Sequence, residues 1–93
     1  MRDAAARVAS YALEIKLSAQ KELDALDDKL FSRVDPKILA LADNPRPAGS
    51  KKLKGHKDQW RLRIGDWRVV YIIDDAAKHV SITRVRHRRE VYK

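Results

Sequence analysis

The sequence predicts an α+β fold: a small, largely antiparallel β-sheet with an N-terminal helical hairpin packed on one face. Three observations lead there. A short alternating run lies near the start, two helical apolar stripes follow it, and three β-rich runs fill the second half. Helices and strands are therefore grouped along the chain, which favours α+β architecture over a parallel α/β sheet. Helices on one face leave the other face of such a sheet open.

Each element has its own signal. Residues 11–16 (YALEIK) alternate, with Tyr11, Leu13 and Ile15 on one side and Ala12, Glu14 and Lys16 on the other, as in a half-buried strand. Ser18 is the expected N-cap of the first helix. Leu23, Leu26, Leu30 and Val34 then recur at helical spacing. Asp35-Pro36 reads as a fresh start, with Asp35 as N-cap and Pro36 at the first helical position. Ile38, Leu39, Leu41 and Ala42 form the second stripe, and Asn44-Pro45 ends it. Residues 45–58 (PRPAGSKKLKGHKD) are a polar, basic connector. Strands are expected at Trp60–Ile64, Trp67–Asp74 and His79–Arg86, the first two joined by a Gly65-Asp66 hairpin turn. The expected order is β-α-α-β-β-β.

A chain of 93 residues fits one domain, 1–93, with residues 1–10 an extension that is either a short helix or a disordered arm. The absence of cysteine excludes a disulfide framework, a Cys-based metal site and a thiol nucleophile. Three histidines without an H-E-x-x-H pattern give no expectation of a metal site. No apolar run approaches the ~18 residues of a membrane span. The opening MRDAAARVAS is too short and polar for a secretory signal, so a cytoplasmic location is expected. The formal charge of +8 is unevenly placed. Residues 1–45 hold 7 Lys/Arg and 8 Asp/Glu, a net of −1, whereas residues 46–93 hold 14 and 5, a net of +9. Such asymmetry points to a polyanion partner, either nucleic acid or an acidic protein.

The hairpin concentrates that charge. A two-residue turn sets Ile64 opposite Trp67, Arg63 opposite Arg68, Leu62 opposite Val69 and Arg61 opposite Val70. Trp60, Leu62, Ile64, Trp67, Val69 and Tyr71 then share the core face, and Arg61, Arg63 and Arg68 share the other. Like charges directly across a sheet destabilise it. Their clustering makes sense where an anion binds, because guanidinium groups match phosphate geometry. The plainer alternative is a solubilising face.

The chain end continues the pattern with Arg84, Arg86, His87, Arg88 and Arg89 before Glu90-Val91-Tyr92. Imperfect alternation over Val80–Arg86 leaves the faces of that strand unassigned. Tyr92 reads equally as an anchor for the tail or as a ring that stacks on an unstacked base. His87 is either a proton-transfer group or an ordinary surface imidazole. Lys51, Lys52, Lys54 and Lys57 lead into the arginine strand and suit contacts to a phosphate backbone.

Taken together, Lys52-Leu53-Lys54-Gly55, the run from Trp60 to Tyr71 (WRLRIGDWRVVY) and His87-Arg88-Arg89-Glu90-Val91-Tyr92 resemble the RelE/ParE toxin superfamily. The likeness also takes in Ala19–Leu26 and Leu41–Pro45, and spans roughly residues 11–92. It implies the α+β fold already derived. In the RelE branch it implies a toxin that cuts mRNA in the ribosomal A site without a metal or other cofactor, by attack of a ribose 2′-OH on the adjacent phosphate. Arg61 and Arg63 stand where RelE toxins carry lysines. Arg68 matches a phosphate-stabilising arginine, Arg88 a group that protonates the leaving oxygen, and Tyr92 a tyrosine that stacks on the substrate base. Lys51, Lys52, Lys54, Lys57 and Arg86 would contact substrate. Arginine stays protonated, so Arg61 stabilises charge but is a poor base. The base is then His87, Tyr92 or a lysine of 51–57, unless orientation and electrostatics suffice. The implied partners are a cognate antitoxin, mRNA on the ribosome with 16S rRNA contacts, and operator DNA through the antitoxin. The alternative is a ParE-like inhibitor of DNA gyrase without nuclease activity.

Overall fold

The computed structural model describes residues 10–55 and 58–91. Among them the elements run β1 (Ala12–Ile15), α1 (Leu17–Asp24), α2 (Asp28–Ala40), β2 (Ser50–Lys52), β3 (Gln59–Ile64), β4 (Trp67–Asp74), β5 (His79–His87) and α3 (Arg88–Val91). The expected β-α-α-β-β-β order is present, with two short additions. The strands form one sheet in the order β1-β5-β4-β3-β2. β1 runs parallel to β5, and the remaining pairs are antiparallel.

The two helices differ from expectation at their ends. Ser18 is not a cap: Lys16 takes that position without a side-chain cap bond, and the Ser18 hydroxyl donates to the Thr83 carbonyl at 2.9 Å. The break lies at Ala25–Asp27 rather than Asp35-Pro36. Asp27 Oδ1 accepts from Leu30 N–H at 2.8 Å and caps α2. Pro36 sits inside α2, where it removes one helical hydrogen bond. The apolar spacing Leu23-Leu26-Leu30-Val34 runs through the break without interruption, so periodicity alone does not mark it.

The helices lay one stripe each on the sheet. Ala19 and Leu23 of α1, Val34 and Ile38 of α2, and Leu41 pack with Leu62, Ile64, Val69, Tyr71, Ile73, Val80, Ile82 and Val85. Burial of each large apolar side chain stabilises the fold by roughly 1.5–3 kcal/mol. No described helix is long and apolar enough to cross a membrane.

The polar connector is held at three points. The buried Tyr71 hydroxyl donates to the Pro45 carbonyl at 2.7 Å, and burial pushes its pKa up to about 12. Arg46 donates twice to the Asp75 carboxylate, at 2.8 and 3.3 Å, and its guanidinium lies 5.0 Å over the Trp60 ring. The Ser50 N–H and hydroxyl both donate to the Pro47 carbonyl. Fixed in this way, the connector swings into β2 beside β3, with Lys51 opposite Arg61. A strand of Ser-Lys-Lys has no apolar alternation, and its pairing with β3 is what makes it a strand.

The Asp75 carboxyl is held down to about 2, first by the Arg46 hydrogen bonds and then by the 2.6 Å bond from the Tyr11 hydroxyl. A carboxyl depressed in the folded state contributes stability above its unfolded pKa, and that contribution is lost as pH falls through the folded value. Urea midpoints measured from pH 6 to pH 2 should therefore show an acid limb below about pH 4. Asp75→Asn should flatten that limb. An unchanged limb in the variant would show that other carboxylates carry it.

A candidate nucleic-acid interface on the open face

The β3–β4 hairpin has the register the turn dictates: Ile64 with Trp67, Arg63 with Arg68, Leu62 with Val69 and Arg61 with Val70. Gly65 takes φ +59 at the first central position, as a type II′ turn requires. β5 continues the pattern by pairing Arg86 with Arg68 and Arg84 with Val70. The open face therefore carries two rows across the strands. One is Arg63, Arg68 and Arg86; the other is Lys51, Arg61, Val70 and Arg84. Neighbouring strands are ~4.8 Å apart, so each row sets like charges close together.

A bulge explains why β5 was unassignable from its alternation. The register shifts between Val70 and Tyr71, whose partners are Arg84 and Ile82, so Thr83 is the extra residue. Its hydroxyl donates to the Val70 carbonyl at 3.1 Å. The extra residue lets Ile82 and Val85 both face the core and sends Arg84 and Arg86 to the open side.

The cations differ in their surroundings. Arg63 is exposed and Arg61 half-buried, with Arg61 Nη1 3.4 Å from the Gly49 carbonyl. Gly49, Ser50, Lys51, Arg61 and Arg63 line a shallow, open depression between β2 and β3. Arg68 is only 5 % exposed. Its Nη1 donates to the Gly65 and Trp67 carbonyls at 2.9 and 3.0 Å, while its buried Nε has no hydrogen-bond partner among the described residues. A buried cation whose described partners are carbonyls is unfavourable for the free protein and well suited to an incoming anion. Arg86 Nε donates to Glu22 Oε2 at 2.7 Å, and Arg84 Nη1 donates to the same oxygen at 3.4 Å.

The structure thus brings Lys51, Arg61, Arg63, Arg68 and Arg86 to one face. It does not bring all the sequence candidates there. His87 pairs with Trp67 and meets its ring edge-on at 5.8 Å, on the side of β5 opposite Arg86. Lys52 pairs with Trp60 and likewise points away from the arginine rows. Lys54 lies exposed in the turn after β2. Arg88 opens α3, its N–H bonded to the Asp66 carbonyl at 2.8 Å, and lines a second open depression with Asp66, His87 and Arg89. Lys57 and Tyr92 lie outside the described residues. Two further residues stand at the face: Arg84, which the sequence leaves without a side, and Glu22, which it does not single out. Arg84 needed the bulge to be assigned, and Glu22 sits 62 to 64 positions from its partners with no local signal.

Such a face suits a phosphate chain, with exposed cations at its edge and a buried one at its centre. Residues 13–92 match the family of the ParE toxin of type II toxin–antitoxin systems, parDE. A protein assigned as toxin RelE1 in Methanocaldococcus jannaschii is 30% identical over 84 residues, covering 87% of this chain and 93% of that protein. The archaeal RelE–RelB complex from Pyrococcus horikoshii OT3 contains a similar structure, with a TM-score of 0.74 and 27% identity over 85% of this chain and 96% of that one. The isolated E. coli RelE toxin superposes with a TM-score of 0.72 and 27% identity, over 88% and 90% of the two chains.

The opposed arginines predict a trade between stability and binding. Arg63→Gln removes the like charge facing Arg68 and should stabilise the fold by roughly 0.2–1 kcal/mol in urea unfolding. The same variant should bind single-stranded RNA more weakly, with a salt slope shallower by roughly 0.7 for one lost phosphate contact. A variant that is less stable and binds RNA with the wild-type slope would contradict this assignment of the face.

Proposed function

Since this chain belongs to the ParE toxin family, within the RelE/ParE superfamily of type II toxins, we propose that it is a ribosome-dependent mRNA endonuclease. The observation that carries the proposal is the pair of cationic rows on the open face, with Arg68 buried between Arg63 and Arg86. The likeness to RelE toxins supports mRNA in the ribosomal A site as the substrate of that face.

The chemistry follows from what the face supplies. The ribose 2′-oxygen attacks the adjacent phosphorus, the bond to the 5′-oxygen breaks, and a cyclic phosphate and a 5′-hydroxyl result. Negative charge grows on the phosphorane oxygens, where Arg61, Arg63, Arg68 and Arg86 stabilise it. The 2′-hydroxyl proton goes to a base. Lys51 is the candidate base that the fold turns to this face, because it stands opposite Arg61. His87 and Lys52 face away from it. Arg88 and Tyr92 keep the roles their positions imply, Arg88 beside the leaving oxygen and Tyr92 stacked on a base. No cofactor takes part. The proposed partner is an antitoxin whose acidic, flexible segment folds over the +9 half of the chain. Operator DNA would be reached through that antitoxin, and 16S rRNA would touch the toxin on the ribosome. The protein would act in the cytoplasm.

A second proposal, inhibition of DNA gyrase, draws on the ParE family match and on the arginine at position 61. A translation extract programmed with one defined mRNA separates the two. Codon-positioned cleavage that disappears without ribosomes is the expected result. Arg63→Ala and Tyr92→Ala, each checked for folding by circular dichroism, should lower the cleavage rate by roughly 10²-fold or more. Intact mRNA together with gyrase-linked double-strand breaks would overturn the nuclease proposal in favour of the second.

A further inference from the structure

The last parallel pair of β1 and β5 is Ile15 with Ile82, so β5 continues past the end of its edge partner. α1 takes over at that edge. Lys16 N–H donates to the Ile82 carbonyl at 2.9 Å, and the Ser18 hydroxyl donates to the Thr83 carbonyl at 2.9 Å. Glu22, one turn further, receives the Val85 N–H on Oε1 at 2.8 Å. Its other oxygen faces Arg86 Nε at 2.7 Å and Arg84 Nη1 at 3.4 Å. The Glu22 side chain is 22% exposed, and its charge is correspondingly less screened than that of a surface carboxylate. One carboxylate thus anchors to the β5 backbone and holds the β5 members of both cationic rows.

We propose that Glu22 is a positioning residue for the basic face. It fixes the Arg86 and Arg84 guanidinium groups at the β5 edge of the face, so that a phosphate meets arginines already in place. The inference rests on the mRNA-cleavage proposal above. Placing a carboxylate beside a polyanion site would by itself weaken binding through repulsion. Orientation is the compensating gain, since misplacement of a reacting group by about 1 Å lowers rates on the order of 10²-fold. A purely electrostatic brake and a positioning residue therefore predict opposite outcomes when the charge is removed.

Glu22→Gln separates them, because the amide oxygen still accepts the Val85 N–H and keeps α1 on the β5 edge. On mRNA-programmed ribosomes the variant should lose roughly tenfold to a hundredfold in kcat with KM little changed. In Arg86→Ala the further change Glu22→Gln should have little added effect on kcat, because Glu22 acts through Arg86. The Arg86 Nε–H resonance should be protected from solvent exchange in the wild type and lose that protection in Glu22→Gln. Binding of a short single-stranded RNA should be no tighter in the variant despite its lost negative charge. Tighter RNA binding with a wild-type or faster kcat, or an unaltered Arg86 resonance, would overturn the proposal. If the wild type leaves mRNA intact, the cleavage proposal fails, and the resonance and RNA-binding arms still decide the role of Glu22.

Discussion

The two-residue turn at Gly65 and Asp66 decides which side of the central hairpin each residue takes. A slip of one residue would move every side chain of that hairpin to the opposite face. The turn holds the register in which Leu62, Ile64, Val69 and Tyr71 enter the core and Arg61, Arg63 and Arg68 face outward. Gly65 is suited to this place. Its φ of +59 disfavours other residues, and a Cβ there would stand 3.2 Å from the Arg33 guanidinium. The turn carbonyls serve the site as well. That of Gly65 accepts from Arg68, and that of Asp66 accepts from the Arg88 N–H at the start of α3.

Around that hairpin the rest of the molecule opposes the repulsion among its cations. Stability comes from the helix-covered side, where the apolar stripes of α1 and α2 bury the sheet. The open side contributes little of it. Among the described residues Arg68 is buried with only carbonyl partners for Nη1 and none for Nε, and the rows set arginine beside arginine. Glu22 is a carboxylate that reaches this array, and it does so from a helix at the sheet edge. The face is thus electrostatically unfavourable in the free protein, and a bound anion would relieve it. That is the expected signature of a site shaped for a polyanion rather than for stability.

Much of this was readable in the chain. The hairpin register follows from one Gly-Asp turn and strict alternation, and the observed pairing agrees with it, whereas burial departs from it at Arg68 and Val70, which lie on the outward face yet are buried. The charge split, −1 against +9, placed the basic surface in the second half. What escaped was non-local or concealed by local regularity. The helix break at Asp27 hid beneath an apolar spacing that continues from Leu23 to Val34, while Asp35-Pro36 offered a stronger local start signal that the helix absorbs. β2 has no alternation of its own. Thr83 adds one residue to β5 and reverses the sense of alternation, so neither Arg84 nor His87 could be given a side. Glu22 joins the site only because α1 follows β1 along the edge of β5.

In the proposed function, the arginine rows of the open face meet messenger RNA on the ribosome. Cryo-electron microscopy of this chain on a ribosome carrying mRNA with a 2′-O-methyl block in the A-site codon tests it most directly. The expected map shows mRNA phosphates within hydrogen-bonding distance of Arg61, Arg63 and Arg86, with α1 and α2 turned away from the message. Messenger RNA lying against the helices, or a ribosome whose A site stays empty at saturating protein, would contradict it.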